Sequence, residues 1–125
     1  MKSPLLHGIR LCAFSMIALA TNLAQAADYP AAHLSSPQQY QVLLENEQVL
    51  VLKMTLKPGE SDLMHSHRDE SVYFERGGKL RIQEANGELI EANVPDGHVM
   101  WHRAWSHQVT NAGSTDVVAI IVEEK

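Results

Sequence analysis

From Tyr40 onward the chain alternates apolar and polar residues in short runs, the pattern of strands that bury one face. Tyr40-Gln41-Val42-Leu43-Leu44 forms the first run and ends at the polar turn Glu45-Asn46-Glu47. Gln48 to Leu56 then places Leu50, Leu52, Met54 and Leu56 on one face and Val49, Val51, Lys53 and Thr55 on the other, until Pro58-Gly59 stops it. Further strands are predicted over Ser71–Arg76, Lys79–Glu84, Leu89–Val94, His98–Arg103, Gln108–Asn111 and Asp116–Glu123. Gly77-Gly78, Asn86-Gly87, Pro95-Asp96-Gly97 and Ala112-Gly113-Ser114 separate them, and Asn86-Gly87 between two β runs is a strong hairpin signal. No stretch after Tyr40 carries a helix-period stripe, so many short strands at this spacing predict an all-β sandwich or barrel.

The region before Tyr40 follows different rules. Lys2 and Arg10 sit in an acid-free start, an apolar run spans Leu11 to Ala20, and Leu23-Ala24-Gln25-Ala26 places small residues at a cleavage position. This is the pattern of a secretory signal peptide, residues 1–26, with cleavage after Ala26. The apolar run is about 10 residues, where a membrane span needs roughly 20. Residues 27–39, with Pro30, Ser35, Ser36 and Pro37, show no periodicity and are expected to form a leader or edge segment ahead of a single domain at 40–125.

Charge changes the picture after that cut. The 125-residue chain has 10 Lys plus Arg and 15 Asp plus Glu, a formal charge of -5. Removing residues 1–26 from 125 leaves 99 and takes away two basic residues and no acid, so the charge becomes -7. Such a balance argues against a nucleic-acid or anionic-membrane partner. The single cysteine, Cys12, goes with the segment, so no intrachain disulfide holds the domain. An exported protein, periplasmic or secreted, is expected.

The chemistry is concentrated in seven histidines. His65 and His67, at i and i+2 on a strand, point to one face and can reach one metal ion. A second group, His98, His102 and His107, follows on later strands. No Ser-His-Asp set, phosphate-binding glycine loop or cysteine pair competes with them.

These two stretches resemble the two motifs of the cupin superfamily. The first is Gly, five residues, His-x-His, three or four residues, Glu, six residues, Gly; Gly59 and His65-Ser66-His67 match its start. The second runs through Pro-x-Gly to a His followed three residues later by Asn; Pro95-Asp96-Gly97 and His107-Gln108-Val109-Thr110-Asn111 match it. The resemblance spans about residues 40–125 and implies a double-stranded β-helix, or jelly-roll, barrel. It also implies that His65, His67 and His107 hold a divalent transition metal (Fe, Mn, Ni, Cu or Zn), and that barrels pair into homodimers.

The fourth ligand is where the sequence departs. Only two residues separate His67 from Glu70, and the doubled Gly77-Gly78 lets either Glu70 or Ser71 stand six residues before a glycine. Strand parity places His65, His67, Asp69 and Ser71 on one face and favours Ser71, whereas a bend around Arg68 and Asp69 would turn Glu70 inward. The resemblance thus implies the metal set His65, His67, His107 and Glu70, with the fourth position open between Glu70 and Ser71.

Other side chains carry smaller expectations. His102 is read as a partly exposed strand residue, with an extra ligand as the alternative. Trp101, Trp105, Tyr73 and Phe74 are expected to pack the barrel or its mouth. Arg68, Arg81 and Arg103 would hold an anion only if they pointed inward. No side chain is singled out as catalytic. By resemblance, the leading function is metal-dependent, oxygenase-type chemistry on a small polar substrate; the alternative is a non-catalytic barrel that binds a small ligand or partner and has lost the metal Glu.

Overall fold

The computed structural model describes residues 29–125. The expected signal segment, residues 1–26, lies outside the described residues. The described chain runs α1 (Ala32–Ser35), β1 (Tyr40–Glu45), β2 (Val49–Leu56), β3 (His65–His67), β4 (Glu70–Arg76), β5 (Gly78–Glu84), β6 (Leu89–Val94), β7 (Val99–His102), β8 (Trp105–Asn111) and β9 (Val117–Glu124).

The strands form two antiparallel sheets, one of five strands in the order β1-β2-β9-β4-β7 and one of four in the order β3-β8-β5-β6. Non-consecutive neighbours such as β2 with β9 and β5 with β8 give the jelly-roll connectivity expected from the sequence. β2 shows why the pattern folds this way: Leu50, Leu52, Met54 and Leu56 are all buried between the sheets while the residues between them are half-exposed. Val72, Phe74, Leu80, Val109, Val117, Ala119 and Ile121 complete the apolar core from the facing strands.

Two glycines shape the connections. A Cβ on Gly77 would lie 1.9 Å from the Val94 carbonyl oxygen, so only glycine lets β6 pass this close. Gly87, at φ 89°, closes the β5–β6 hairpin where Asn86-Gly87 predicts it.

The segment expected to be a leader is docked on the barrel. Ala31 bridges to Ser66, the Ser66 N–H donates to the Pro30 carbonyl at 3.0 Å, and Ala32 is fully buried. The Leu63 N–H donates to Ser36 Oγ at 2.9 Å, which ties this segment to the loop leading into β3. The single turn of helix α1 has no useful periodicity to announce it, because it is held by these contacts.

Candidate metal centre

β3 and β8 are neighbours in the four-stranded sheet, and their register sets His65 directly opposite His107. His67, two residues on, projects to the same side. The three rings converge, with centroids 4.6 Å apart for His65 and His67, 4.7 Å for His65 and His107, and 5.1 Å for His67 and His107. All three side chains are buried, and one ligand nitrogen from each falls within 4.8 Å of the others.

The hydrogen bonds assign the protons. His65 Nδ1 lies 2.7 Å from the Leu63 carbonyl and donates to it, so His65 Nε2 presents a lone pair. His67 Nε2 is 2.8 Å from that atom, while His67 Nδ1 is 2.6 Å from Glu123 Oε1. Donating on both sides makes His67 the imidazolium of the three. The pKa shifts run the same way. Burial lowers His65 to about 4. Burial, reinforced by the neighbouring imidazoles His65 and His67, lowers His107 to about 2. For His67, burial also pulls downward, but the hydrogen bond to Glu123 and the charges of Glu70, Glu123 and Asp62 outweigh it and raise the pKa.

The chain corner between β3 and β4 corrects the parity argument for the fourth position. Ser71 faces outward and Glu70 is buried. The cause is the break at Arg68 and Asp69, where the chain leaves one sheet and enters the other. Asp69 fixes that corner by accepting the Ala104 N–H on its carboxylate and the Glu124 N–H on its carbonyl, each at 2.9 Å. Parity therefore restarts at Glu70, which joins Val72 and Phe74 on the inner face.

Glu70 Oε1 accepts the Trp105 indole N–H at 2.7 Å. Its Oε2 lies 3.2 Å from His67 Nδ1 and has no hydrogen-bond partner among the described residues. Burial raises the Glu70 pKa, against the opposing charge of His67 and the bond from Trp105.

Glu123 is not among the residues the sequence singles out, because a Glu near the end of a strand looks like a solvated charge. It is 3% exposed and sits beside Glu70 in the β4–β9 register. Its alternation with Ile121 and Ala119 on the inner face of β9 is the clue that was available. Asp62 was also missed. It accepts the Tyr40 hydroxyl and the Val109 N–H, each at 2.7 Å, and burial raises its pKa to about 6.

The remaining predicted residues separate cleanly. His102 does not join the triad: it stacks on Trp105 with centroids 3.8 Å apart, and its Nδ1 donates to the Arg103 carbonyl. Phe74 and Trp105 pack the interior as expected, but Trp101 and Tyr73 lie on the outer face of the five-stranded sheet. Arg68, Arg81 and Arg103 are all exposed, so none reaches an interior anion; Arg81 pairs with Glu91 at 3.3 Å instead.

The donor set fits a divalent transition metal. Three imidazoles converge, two of them held neutral, while the Glu70 oxygen that has no hydrogen-bond partner among the described residues lies at His67 Nδ1, outside that triad. The 2.8 Å between His65 and His67 nitrogens is close to the roughly 2.9 Å expected of two such ligands, each about 2.0–2.1 Å from one ion and at right angles. His67, Glu70 and Glu123 form a second group within 4.8 Å, sharing His67 with the first.

Next to the triad lies a cavity of about 50 Å³. His67, Glu70, His107, Trp105 and Tyr40 line one part of it, and Met54, Val72, Phe74, Leu80 and their apolar neighbours line the rest. The space admits a few small groups, well below the roughly 300 Å³ of an ordinary ligand pocket.

No protein-family model matches the sequence, and no curated relative matches it either. Solved structures do. A cupin domain from Bordetella pertussis Tohama I is similar at 24% identity over 78% of this chain and 97% of its own, with a TM-score of 0.64. A protein with a double-stranded β-helix domain from Klebsiella pneumoniae subsp. pneumoniae MGH 78578 matches at 17% identity over 71% of this chain and 79% of its own, TM-score 0.56. An RmlC-like cupin family protein from Methanocaldococcus jannaschii matches at 15% identity over 68% and 77%, TM-score 0.56. Likeness at these identities speaks for architecture. With the two-sheet topology above, it establishes that this chain has the double-stranded β-helix fold of cupin domains.

Proposed function

We propose that this protein is a metal-dependent cupin in which His65, His67 and His107 hold a divalent transition metal, with Glu70 turned toward them, and that this centre carries out oxygenase-type chemistry on a small molecule. The observation that carries the reading is the convergence of three buried imidazoles, His65, His67 and His107, with a ligand nitrogen from each within 4.8 Å of the others. Burying that many ionisable groups is unfavourable unless a cation compensates the carboxylates. A bound metal would supply Lewis-acid or redox chemistry, and imidazole ligation is compatible with Fe, Ni, Cu and Zn.

The chain's own residues have separate tasks. His65 and His107, neutral at pH 7, offer lone pairs without first losing a proton. Trp105 fixes the Glu70 carboxyl, and the largely apolar cavity lies beside His67 and His107. That lining shifts the expected substrate from a polar molecule to one that buries an apolar part.

Oxygen uptake tests this directly. Protein loaded with Fe, Mn, Ni or Cu should consume oxygen with some member of a panel of small substrates, and His107→Ala prepared in the same way should not. No uptake with any metal would favour the second reading, a non-catalytic barrel binding a small ligand or partner.

Export and self-association belong to the same proposal. Cleavage after Ala26 gives a mature chain beginning at Ala27, which intact mass of the exported protein would reveal. A homodimer is supported by the outer face of the five-stranded sheet, where Trp101, Val99 and Tyr73 are 55%, 65% and 46% exposed. Tyr73 lies opposite both Val99 and Ile120, so the patch is continuous across three strands. Trp101→Lys should shift sedimentation from dimer to monomer; an unchanged dimer would place the interface elsewhere.

A further inference from the structure

Glu70 and Glu123 are cross-strand neighbours, both buried, 2% and 3% exposed. Two carboxylates side by side away from water repel one another, so each requires its own donors. The donors are divided unequally. Both Glu123 oxygens are engaged, Oε1 by His67 Nδ1 at 2.6 Å and Oε2 by the Arg68 N–H at 3.3 Å. Glu70 has only Trp105 on Oε1, while its Oε2 stays 3.2 Å from the same His67 nitrogen without bonding it.

We infer that Glu123 is a positioning residue for the metal centre: by taking the Nδ1 proton of His67 it fixes that ring with Nε2 toward His65. An imidazole can rotate half a turn and exchange its nitrogens, so a carboxylate at 2.6 Å determines which one faces the ion. The end of β9 is built to hold this carboxylate in place. The Glu124 N–H donates to the Asp69 carbonyl and the Lys125 N–H to the Gln48 carbonyl, at 2.9 and 2.8 Å, clamping the two residues that follow Glu123.

This inference rests on the metal reading proposed above, and the experiment separates the two. Zinc affinity is measured by chelator competition for the full chain, for Glu123→Leu and for Glu123→Gln, with nitrogen-15 spectra of the histidine rings in each zinc-loaded protein. Glu123→Leu should bind zinc roughly 10- to 100-fold more weakly, the range for losing a carboxylate behind a ligating histidine. Glu123→Gln keeps an acceptor in the same place without the charge and should lose only about three- to tenfold. In the wild type the His67 ring should carry its proton on Nδ1 and zinc on Nε2. Glu123→Leu should lose that pattern at His67 while His65, held by Leu63, keeps its own. A purely structural role would not produce that selective change.

If Glu123→Leu does not fold, Glu123→Gln decides alone through its affinity and its His67 spectrum. Variants that bind zinc as tightly as wild type, or a zinc-loaded wild type with no proton on His67 Nδ1, would overturn the inference while leaving the metal site standing. A wild type that takes up no zinc would overturn both.

Discussion

The two ends of the barrel interior are built on opposite principles. Around Leu52, Leu56, Val117 and Ala119 the buried side chains are almost all apolar, with Asn111, bonded to the Leu56 carbonyl, the neutral polar exception. At the other end His65, His67, His107, Glu70 and Glu123 are buried just as deeply, yet each can ionise. The first end holds the fold through area removed from water, at about 25 cal/mol per Å². The second works against folding, because desolvation shifts most of these groups toward neutrality. A region that lowers stability in so small a domain is retained for what it binds.

That contrast can be broken from either side. The largest effect on the site is expected from His67→Ala, which removes the imidazole shared by both ligand groups. Metal affinity should fall by more than the roughly 100-fold that the loss of an outer partner can cost, whereas the folded state should survive in circular dichroism. Leu52→Ala is the mirror experiment: urea unfolding should show a loss of about 2–5 kcal/mol, with metal affinity unchanged. If each variant damaged both properties equally, the two ends would not be separable.

The corner between β3 and β4 sharpens the comparison further. Glu70→Gln should weaken metal binding by roughly tenfold, the scale of losing one charged donor. Ser71→Ala, on the outer face, should leave calorimetric affinity as it is. The reverse order would mean that Glu70 is a structural partner of Trp105 only.

The smallest expected effect is in the pH dependence. Folded-state values of about 4 for His65 and about 2 for His107 mean that neither carries a proton at pH 5 to 7. His67, with its pKa raised above the ordinary histidine value, carries one at the acid end of that range. Metal uptake should therefore release close to one proton, seen as a slope of one in log affinity against pH, flattening above the His67 pKa. An exposed triad would lose affinity with a slope approaching three below about pH 6.5. The same shifts act on folding with the opposite sign for the two kinds of imidazole. His65 and His107 contribute stability above their ordinary pKa that is lost as pH falls toward about 4 and about 2. His67 contributes stability at low pH that is lost as pH rises through its raised value.

The sequence was most legible where a strand runs without interruption. The alternation of Leu50 to Leu56 reproduces the burial of β2 residue by residue, and Asn86-Gly87 marks the hairpin that forms. His65, His67 and His107 converge because their spacing survives folding. Parity failed at Arg68 and Asp69, since a chain that changes sheets restarts its alternation, and two contacts of Asp69 made from distant strands determine where. Glu123 was hidden for a related reason: 56 residues separate it from His67. Only the β9–β4 pairing brings the two together.

The central claim is that the ionisable end of the barrel exists to hold a metal. The most direct measurement is metal stoichiometry by elemental mass spectrometry, on untagged protein purified without chelator and again after reconstitution, with His67→Ala alongside. The account predicts close to one transition-metal ion per chain in the wild type and almost none in His67→Ala. Wild-type protein without metal even after reconstitution, or His67→Ala loaded equally, would contradict it.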